Sequence, residues 1–335
     1  MKHGQEPLAA MVLAAGRGER MRPLSDVLPK PALPVLDRPL VGWALDQALR
    51  AGADSLTVNV WHLAERMVEA VRAAAPGPVE VKISREPELL GGAGGLAAAR
   101  DRGLLGDRGP VLVLNGDGIL ELDLEPLLKR HRAQDDLVTL ALLRHPDPRR
   151  WSRVQLDPSG RVTAISPPGG AGEDGEGFLY PGAMLVAREA LDRLPTGAAE
   201  VADLLWEPAR RAGRLGGAAV SGRWREVGTP EDYRTAIMDR LAGTSWVHGA
   251  ARLAADARVE HSMIGRGVVV DRAAQVIDSV LADGAVVSAG CRVEGSVLLG
   301  PVRLPPGETL EHAVLAAFSP HRTYPFESGC SCART

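Results

Sequence analysis

Leu8-Ala9-Ala10-Met11-Val12-Leu13-Ala14-Ala15-Gly16-Arg17-Gly18 is an apolar run that ends in small residues and then in charge. A continuous apolar run of this length, closed by glycine, suits a strand buried on both faces, so residues 8–14 are expected to be the first strand of the fold. The run is far shorter than the ~18 apolar residues of a membrane span. It follows Glu6 and leads straight into a basic glycine-rich loop, which is not the layout of a secretion signal. In that loop small residues such as Gly16 and Gly18 let backbone N–H groups approach phosphate oxygens, and two cations would offset the charge that shifts during phosphoryl transfer. Such a loop reads a triphosphate. The dinucleotide pattern Gly-x-Gly-x-x-Gly fails at Met21, and the Gly-Lys-Ser/Thr of a P-loop is absent. Arg17 and Arg22 read as solvated charges of the same loop.

Outward from this strand, apolar strand-like runs alternate with amphipathic helical ones as far as Leu241, the pattern of an α/β sheet covered on both faces. Helices are predicted over 40–50, ending at Gly52, and over 63–74 and 201–211. Strands are predicted over 56–60, 79–84, 111–115, 137–143, 154–156, 162–165 and 178–186, with 167–177 as a surface loop.

After residue 242 the period changes. Val259-Glu260-His261-Ser262-Met263-Ile264, Val276-Ile277-Asp278-Ser279-Val280-Leu281, Val293-Glu294-Gly295-Ser296-Val297-Leu298 and Leu310-Glu311-His312-Ala313-Val314-Leu315 recur every 17 residues. A coil of three hexapeptide-like sides, apolar inward and with Gly or Asp at its corners, suits a parallel β-helix. One coil cannot bury its inner face alone, so stacking supplies the core and the end coils need a cap or a partner. His261 and His312 read as corner residues. The expected domains are 1–241 and 242–317, followed by a flexible tail over 318–335.

Length and composition agree with two globular domains: 335 residues is about twice the ~150-residue prior. A net charge of −3 excludes a polybasic nucleic-acid binder, and 45% hydrophobic content excludes an acidic disordered chain. Neither a nucleic acid nor a membrane is expected as partner. Cys291, Cys330 and Cys332 cannot pair completely, which points to a reducing cytosol. Cys330 and Cys332 sit in a tail without apolar periodicity and read as part of a frayed terminus rather than as a metal or redox pair.

The segment from Leu13 through Gly16, Gly18 and Arg20 to Pro29-Lys30-Pro31 closely resembles the signature of the sugar-1-phosphate nucleotidylyltransferases, or NDP-sugar pyrophosphorylases. The 17-residue coils resemble the β-helix tails of that family, nearest to its mannose-1-phosphate guanylyltransferase-like members. The resemblance covers roughly residues 8–315. It implies a Rossmann-like nucleotidyltransferase mixed sheet with helices on both faces, followed by a C-terminal left-handed parallel β-helix. It also implies that the backbone at Leu13, Ala14, Ala15, Gly16 and Gly18 holds the nucleotide, that Arg20 grips the triphosphate, and that Lys30 neutralises phosphate at the reacting centre.

Asn115-Gly116-Asp117 closes the apolar run 110–114, placing a carboxylate at the carboxyl end of a central strand, where open sheets bind ligands. The resemblance makes Asp117 one ligand of Mg2+. The second comes from Trp224-Arg225-Glu226-Val227-Gly228-Thr229-Pro230, where Glu226 stands in place of the family's Asp. Magnesium accepts either carboxylate in an octahedral oxygen shell, but the longer arm must fold back. The segment from Glu86 to Gly95 resembles the base-binding segment, with Glu86 and Gly91 at the nucleotide. A carboxylate there accepts two N–H donors from guanine but one from uracil or thymine, which favours guanine. Asn115, Gly182 and Glu200 are expected at the sugar, while Asp203 reads as a helix-surface charge and His62 as packing. Where the family often carries Glu-Lys-Pro this chain has Ser166-Pro167-Pro168. Branches resembling N-acetylmuramate-1-phosphate uridylyltransferases and heptose-1-phosphate guanylyltransferases do without that lysine.

The implied reaction joins an NTP to a sugar 1-phosphate with release of pyrophosphate and no covalent intermediate. GTP with mannose or heptose 1-phosphate is the favoured pair, in a cytoplasmic homo-oligomer assembled through the β-helix. Two other readings stand beside it. A non-catalytic regulatory subunit that binds a nucleotide sugar would explain Glu226 and Ser166, but not the retention of Arg20, Lys30 and Asp117. An acetylating β-helix is opposed by the four short coils.

Overall fold

The computed structural model describes residues 7–317, apart from 76, 78, 148 and 170–176. The tail with Cys330 and Cys332, and most of the predicted loop 167–177, lie outside the described residues. The chain forms two compact units. One contains residues up to Gly16 together with Val41–Arg225; the other contains Arg17–Leu40 and the residues from Glu226 onward.

The first unit is built on one mixed sheet. Its strands run in the order Val162–Ser166, Arg153–Leu156, Phe178–Leu179, Val138–Arg144, Ala183–Val186, Val111–Asn115, Ala9–Leu13, Ser55–Val60 and Val81–Arg85, and Leu215–Ala219 pairs alongside Val138–Arg144. The last four strands of that order are parallel. Ala9–Leu13 and Val111–Asn115 are apolar at nearly every position and buried, as parallel strands with helices on both faces must be. Ala9–Leu13 lies between Ser55–Val60 and Val111–Asn115, with Leu13 paired to Asn115. The topology therefore changes direction beside Leu13, and a crevice opens outside the carboxyl ends of these strands. The helix Gly91–Asp101 packs Ala93, Leu96, Ala97 and Ala99 onto Met11, Val111 and Val113.

The predicted strand 178–186 is in fact two, Phe178–Leu179 and Ala183–Val186, because Gly182 at φ 96° turns the chain. The predicted helix 201–211 opens with a π-helical turn, Ala202–Trp206, before the α-helix Glu207–Arg211.

The second unit holds the β-helix. Its three sides are parallel sheets with a 17-residue register: Val259 on Val276, Val276 on Val293, and Val293 on Leu310. Val270, Val276, Val287, Val293 and Cys291 fill the interior. One corner of each coil takes positive φ, at His261, Asp278, Gly295 and His312, so the two histidines are corner residues. Beside that corner runs a column of buried serines. Ser262 Oγ accepts the N–H of Ser279 at 3.0 Å, and Ser279 Oγ accepts the N–H of Ser296 at 3.0 Å.

The helix Pro230–Leu241 and the segment Arg17–Leu40 belong with the coils. The physical reason is specific bonding: buried Tyr233 donates its hydroxyl to the Pro34 carbonyl, Arg234 donates to the Asp278 carbonyl at 3.1 Å, and the short helix Leu24–Val27 lies against Val314–Ala316.

Candidate active site

In the first unit, the loop after Ala9–Leu13 and the turn after Val111–Asn115 are joined directly. Gly116 donates its N–H to the Leu13 carbonyl at 2.9 Å. A methyl at Gly116 would stand 2.8 Å from Val12 Cγ1 and 3.0 Å from the Leu13 oxygen, so this approach requires glycine. Asp117 follows, half-exposed, at the carboxyl end of the strand. Gly16 is exposed, and a Cβ built on it meets nothing within 4 Å.

Asn115 and Gly182, both expected at the sugar, are brought together. Asn115 donates its N–H to the Gly182 carbonyl at 2.8 Å, and the Asn115 side chain fills the space where a Cβ at Gly182 would stand, with its Nδ2 at 2.8 Å. Gly91 and Glu200 form a second pair: a Cβ at Gly91 would fall 2.7 Å from Glu200 Oε1 and 2.6 Å from the Ala199 oxygen. The Ala199 carbonyl accepts the N–H groups of Ala93 at 3.0 Å and Gly94 at 3.1 Å, capping the helix Gly91–Asp101. Tyr180 lies edge-on to Trp206 at 4.9 Å, and burial pushes its phenol up from its ordinary range.

Glu86 is buried, and each of its oxygens is engaged by the protein. Oε1 accepts Asn59 Nδ2 at 2.7 Å and Oε2 accepts the Leu90 N–H at 3.2 Å. Burial raises its carboxyl above the ordinary range, while the bonds from Asn59 and Leu90 and the nearby Arg102 pull it back in part. The two acceptor oxygens expected to meet a base are thus turned inward, and the preference for guanine drawn from them loses its basis.

The second unit carries Gly18, Arg20, Lys30 and Glu226. Lys30 is buried, in a short 3-10 turn after Pro29, and a Cβ at Gly18 (φ 65°) would stand 3.2 Å from Lys30 Cβ. Arg20 Nη2 lies 3.6 Å from Glu226 Oε1. Gly228 leaves room for that carboxylate, since a methyl there would sit 3.0 Å from Glu226 Oε1. Thr229 then caps the helix Pro230–Leu241 by accepting the Asp232 N–H at 3.1 Å. This is the local logic of the Gly-Thr-Pro run: a glycine for the carboxylate, a cap, and a proline at the first helical position.

Magnesium is the ion implied by the sequence. Asp117 and Glu226 offer carboxylate oxygen only, the hard donor that suits it. Among the described residues no group of three or more His, Cys, Asp or Glu side chains gathers as a metal cage. Mg2+ is commonly held by one or two carboxylates with waters and substrate phosphates, and carboxylate oxygen is the donor that each of these residues offers.

The sequence analysis missed several residues of this region. Asn59 is a buried amide in the strand Ser55–Val60, and a polar residue between Val58 and Val60 was the available signal. Trp151 and Trp224 meet edge to face at 5.4 Å, and Trp224 Nε1 stands 3.6 Å from where a Cβ at Gly118 would lie. Nothing in the chain order foretold that pairing.

Comparison with known proteins gives the family. Residues 9–243 match the nucleotidyl transferase family, and residues 239–316 match the family described as GlmU-like, C-terminal hexapeptide. The N-acetylmuramate alpha-1-phosphate uridylyltransferase of Neisseria meningitidis is 32% identical over 228 residues, covering 66% of this chain and 94% of the relative. The mannose-1-phosphate guanylyltransferase of Mycobacterium tuberculosis is 28% identical over 307 residues, covering 85% of this chain and 82% of the relative. The crystal structure of HddC from Yersinia pseudotuberculosis shares the fold, with a TM-score of 0.58 at 21% identity over 69% of this chain and 99% of that one. The chain belongs to the nucleotidyl transferase family of enzymes and carries a match to the GlmU-like hexapeptide family in its C-terminal residues.

Proposed function

We propose that this enzyme joins a nucleoside triphosphate to a sugar 1-phosphate, with GTP and mannose or heptose 1-phosphate as its pair. One observation carries the reaction class: a small-residue loop and an Asn-Gly-Asp turn are bonded together at Leu13 and Gly116, at the carboxyl edge where the strand order reverses. Gly16 is exposed with open space where a Cβ would stand, so a phosphate oxygen can come close to the backbone there. In the proposed reaction a phosphate oxygen of the sugar attacks the α-phosphorus while the bond to pyrophosphate breaks in line, so no protein group becomes covalently modified. The loop backbone from Leu13 to Gly16 holds the nucleotide, and Arg20 and Lys30 offset the charge that moves to the leaving pyrophosphate. Asn115, Gly182 and Glu200 orient the sugar. Asp117 and Glu226 are the residues that would hold Mg2+, which when bound polarises phosphate oxygens.

The choice of GTP and a mannose-type sugar is supported by the likeness to the guanylyltransferase of M. tuberculosis, which extends over 85% of this chain. The uridylyltransferase relative makes UTP with N-acetylmuramate 1-phosphate the necessary competitor. Pyrophosphate release should therefore be measured for GTP, UTP and dTTP against mannose, heptose, glucose and N-acetylmuramate 1-phosphates with Mg2+. One pair should reach a kcat/KM of ~10⁴ M⁻¹s⁻¹ or more. Release from no pair would overturn the function; preference for a UTP pair would overturn the substrate assignment alone.

A cytoplasmic location and self-assembly through the coils complete the proposal. No helix among the described residues is long and apolar enough to cross a membrane. Light scattering on the full chain should find more than one copy per particle, and a strictly monomeric enzyme would refute assembly.

A further inference from the structure

Asn59 sits in the strand beside Ala9–Leu13, buried, with both ends of its amide used. Its Oδ1 accepts the Ala14 N–H at 2.7 Å and its Nδ2 donates to Glu86 Oε1 at 2.7 Å. Glu86 Oε2 in turn accepts the N–H of Leu90, the residue before Gly91. Four residues thus form one bonded chain, Ala14 to Asn59 to Glu86 to Leu90, linking the glycine-rich loop to the start of the helix Gly91–Asp101. Gly95 closes over the middle of it: a methyl there would stand 2.7 Å from Glu86 Oε1 and 2.9 Å from Asn59 Nδ2. The helix backbone therefore packs directly on the amide–carboxylate pair, and no side chain fits between. Both ends of the chain are loop or helix N–H groups in buried surroundings, where an unmet donor is costly.

We propose that Asn59 is a positioning residue for nucleotide binding, with Glu86 as its partner: together they set the spacing between the Ala14 backbone and the start of the helix at Gly91. This deepens the proposed function, since it rests on the reading of those two segments as nucleotide-holding. It also gives Glu86 an internal role in place of contact with the base.

The polarity of the chain supplies a sharp test. The two ends demand acceptors, because Ala14 and Leu90 both present N–H, but the middle bond can run either way. Asn59→Asp combined with Glu86→Gln keeps both end bonds and reverses only the middle one, with Gln donating to Asp. Each single change leaves a mismatch. Asn59→Asp sets two carboxylates against each other, and Glu86→Gln turns an amide N–H toward either Asn59 Nδ2 or the Leu90 N–H. With GTP or UTP, whichever the wild-type enzyme turns over, each single variant should raise KM for the nucleotide ~10-fold or more. KM for the sugar 1-phosphate and kcat should move less than about threefold, and calorimetric nucleotide affinity should follow KM. The double variant should recover nucleotide KM to within about threefold of wild type.

If the double variant recovers the wild-type melting temperature but keeps a ~10-fold raised KM, Glu86 meets the base itself and the proposal fails. It fails equally if both singles leave KM unmoved. Should Asn59→Asp not fold, the neutral Glu86→Gln variant and the double variant decide the matter. Absence of turnover in the wild-type enzyme would count against the proposed function, whereas wild-type turnover with unmoved KM in the variants would count against the positioning role alone.

Discussion

Arg20 and Glu226, an expected triphosphate grip and an expected metal ligand, face each other across 3.6 Å. The Arg20 side chain is 71% exposed and that of Glu226 24% exposed, so the attraction is strongly screened by water and adds little to stability. The pair has a different consequence. Each charge holds the other near its place, and in the proposed reaction phosphate and metal would compete for them. Arg20→Ala should therefore move the melting temperature by less than ~2 °C. The same change should lower kcat ~100-fold or more if the guanidinium acts mainly in the transition state. Glu226→Asp, which restores the family's commoner carboxylate, should keep turnover within about tenfold, while Glu226→Gln should lose ~100-fold. A large melting shift in Arg20→Ala with unchanged kcat would make the pair structural.

Lys30 is buried against Gly18, whose left-handed backbone and missing Cβ leave room for it. Lys30→Ala should lower kcat ~100-fold or more. Gly18→Ala should follow in the same direction, because the new methyl meets Lys30 Cβ and the residue is held at positive φ, at a backbone cost of ~1 kcal/mol. Steady-state kinetics beside thermal melts check both; unchanged turnover in Lys30→Ala would remove the lysine from the mechanism.

The serine column makes a prediction confined to the β-helix. Ser279 accepts the Ser296 N–H at 3.0 Å and donates to the Ile277 carbonyl at 2.6 Å. Ser279→Ala leaves the buried Ser296 N–H without that acceptor, at a cost of ~1–3 kcal/mol. Calorimetry should show the loss in the melting of the coils, with turnover at 25 °C intact. Wild-type melting in this variant would show that the column is dispensable.

His131 makes a pH prediction. Burial holds its imidazole below the ordinary value of 6.5, the Asp136 carboxylate opposing this and Arg132 adding to it. Its Nδ1 meets Thr139 Oγ1 at 2.8 Å. The unfolded chain then binds a proton on this group at a higher pH than the folded one. Stability should be unaffected by His131 above about pH 7 and should fall as pH drops from ~6.5 toward the lowered folded value. Urea midpoints between pH 7.5 and 5.5 should fall less in His131→Gln than in wild type. Equal slopes would refute this.

Much of the architecture was legible along the chain, and the exceptions have physical causes. The strand Val111–Asn115 was predicted to the residue, because five apolar or closing positions between a proline and a glycine leave little choice. The helix Gly91–Asp101 was missed, because four glycines in its first turns each disfavour a helix by ~1 kcal/mol. Close packing outweighs that cost: a Cβ at Gly94 would sit 2.3 Å from the Gly197 oxygen, and Gly95 lies on Asn59 and Glu86. The domain boundary at 241/242 was drawn where the period changes. The two family matches, over residues 9–243 and 239–316, meet there as well, while buried Tyr233 and Arg234 bond to partners distant in the chain.

What the sequence determined by itself was whatever repeats or ends locally: the apolar run before Gly16 and the 17-residue coils with His261 and His312 at their corners. These depend on neighbouring residues and on periodicity. Only the tertiary structure decided where buried polar groups point. Glu86 looked like a carboxylate free to read a base, yet Asn59 and Leu90 hold its two oxygens. A buried acceptor is committed by whichever donors the fold brings within about 3 Å, and that proximity is settled by packing between distant strands rather than by order along the chain.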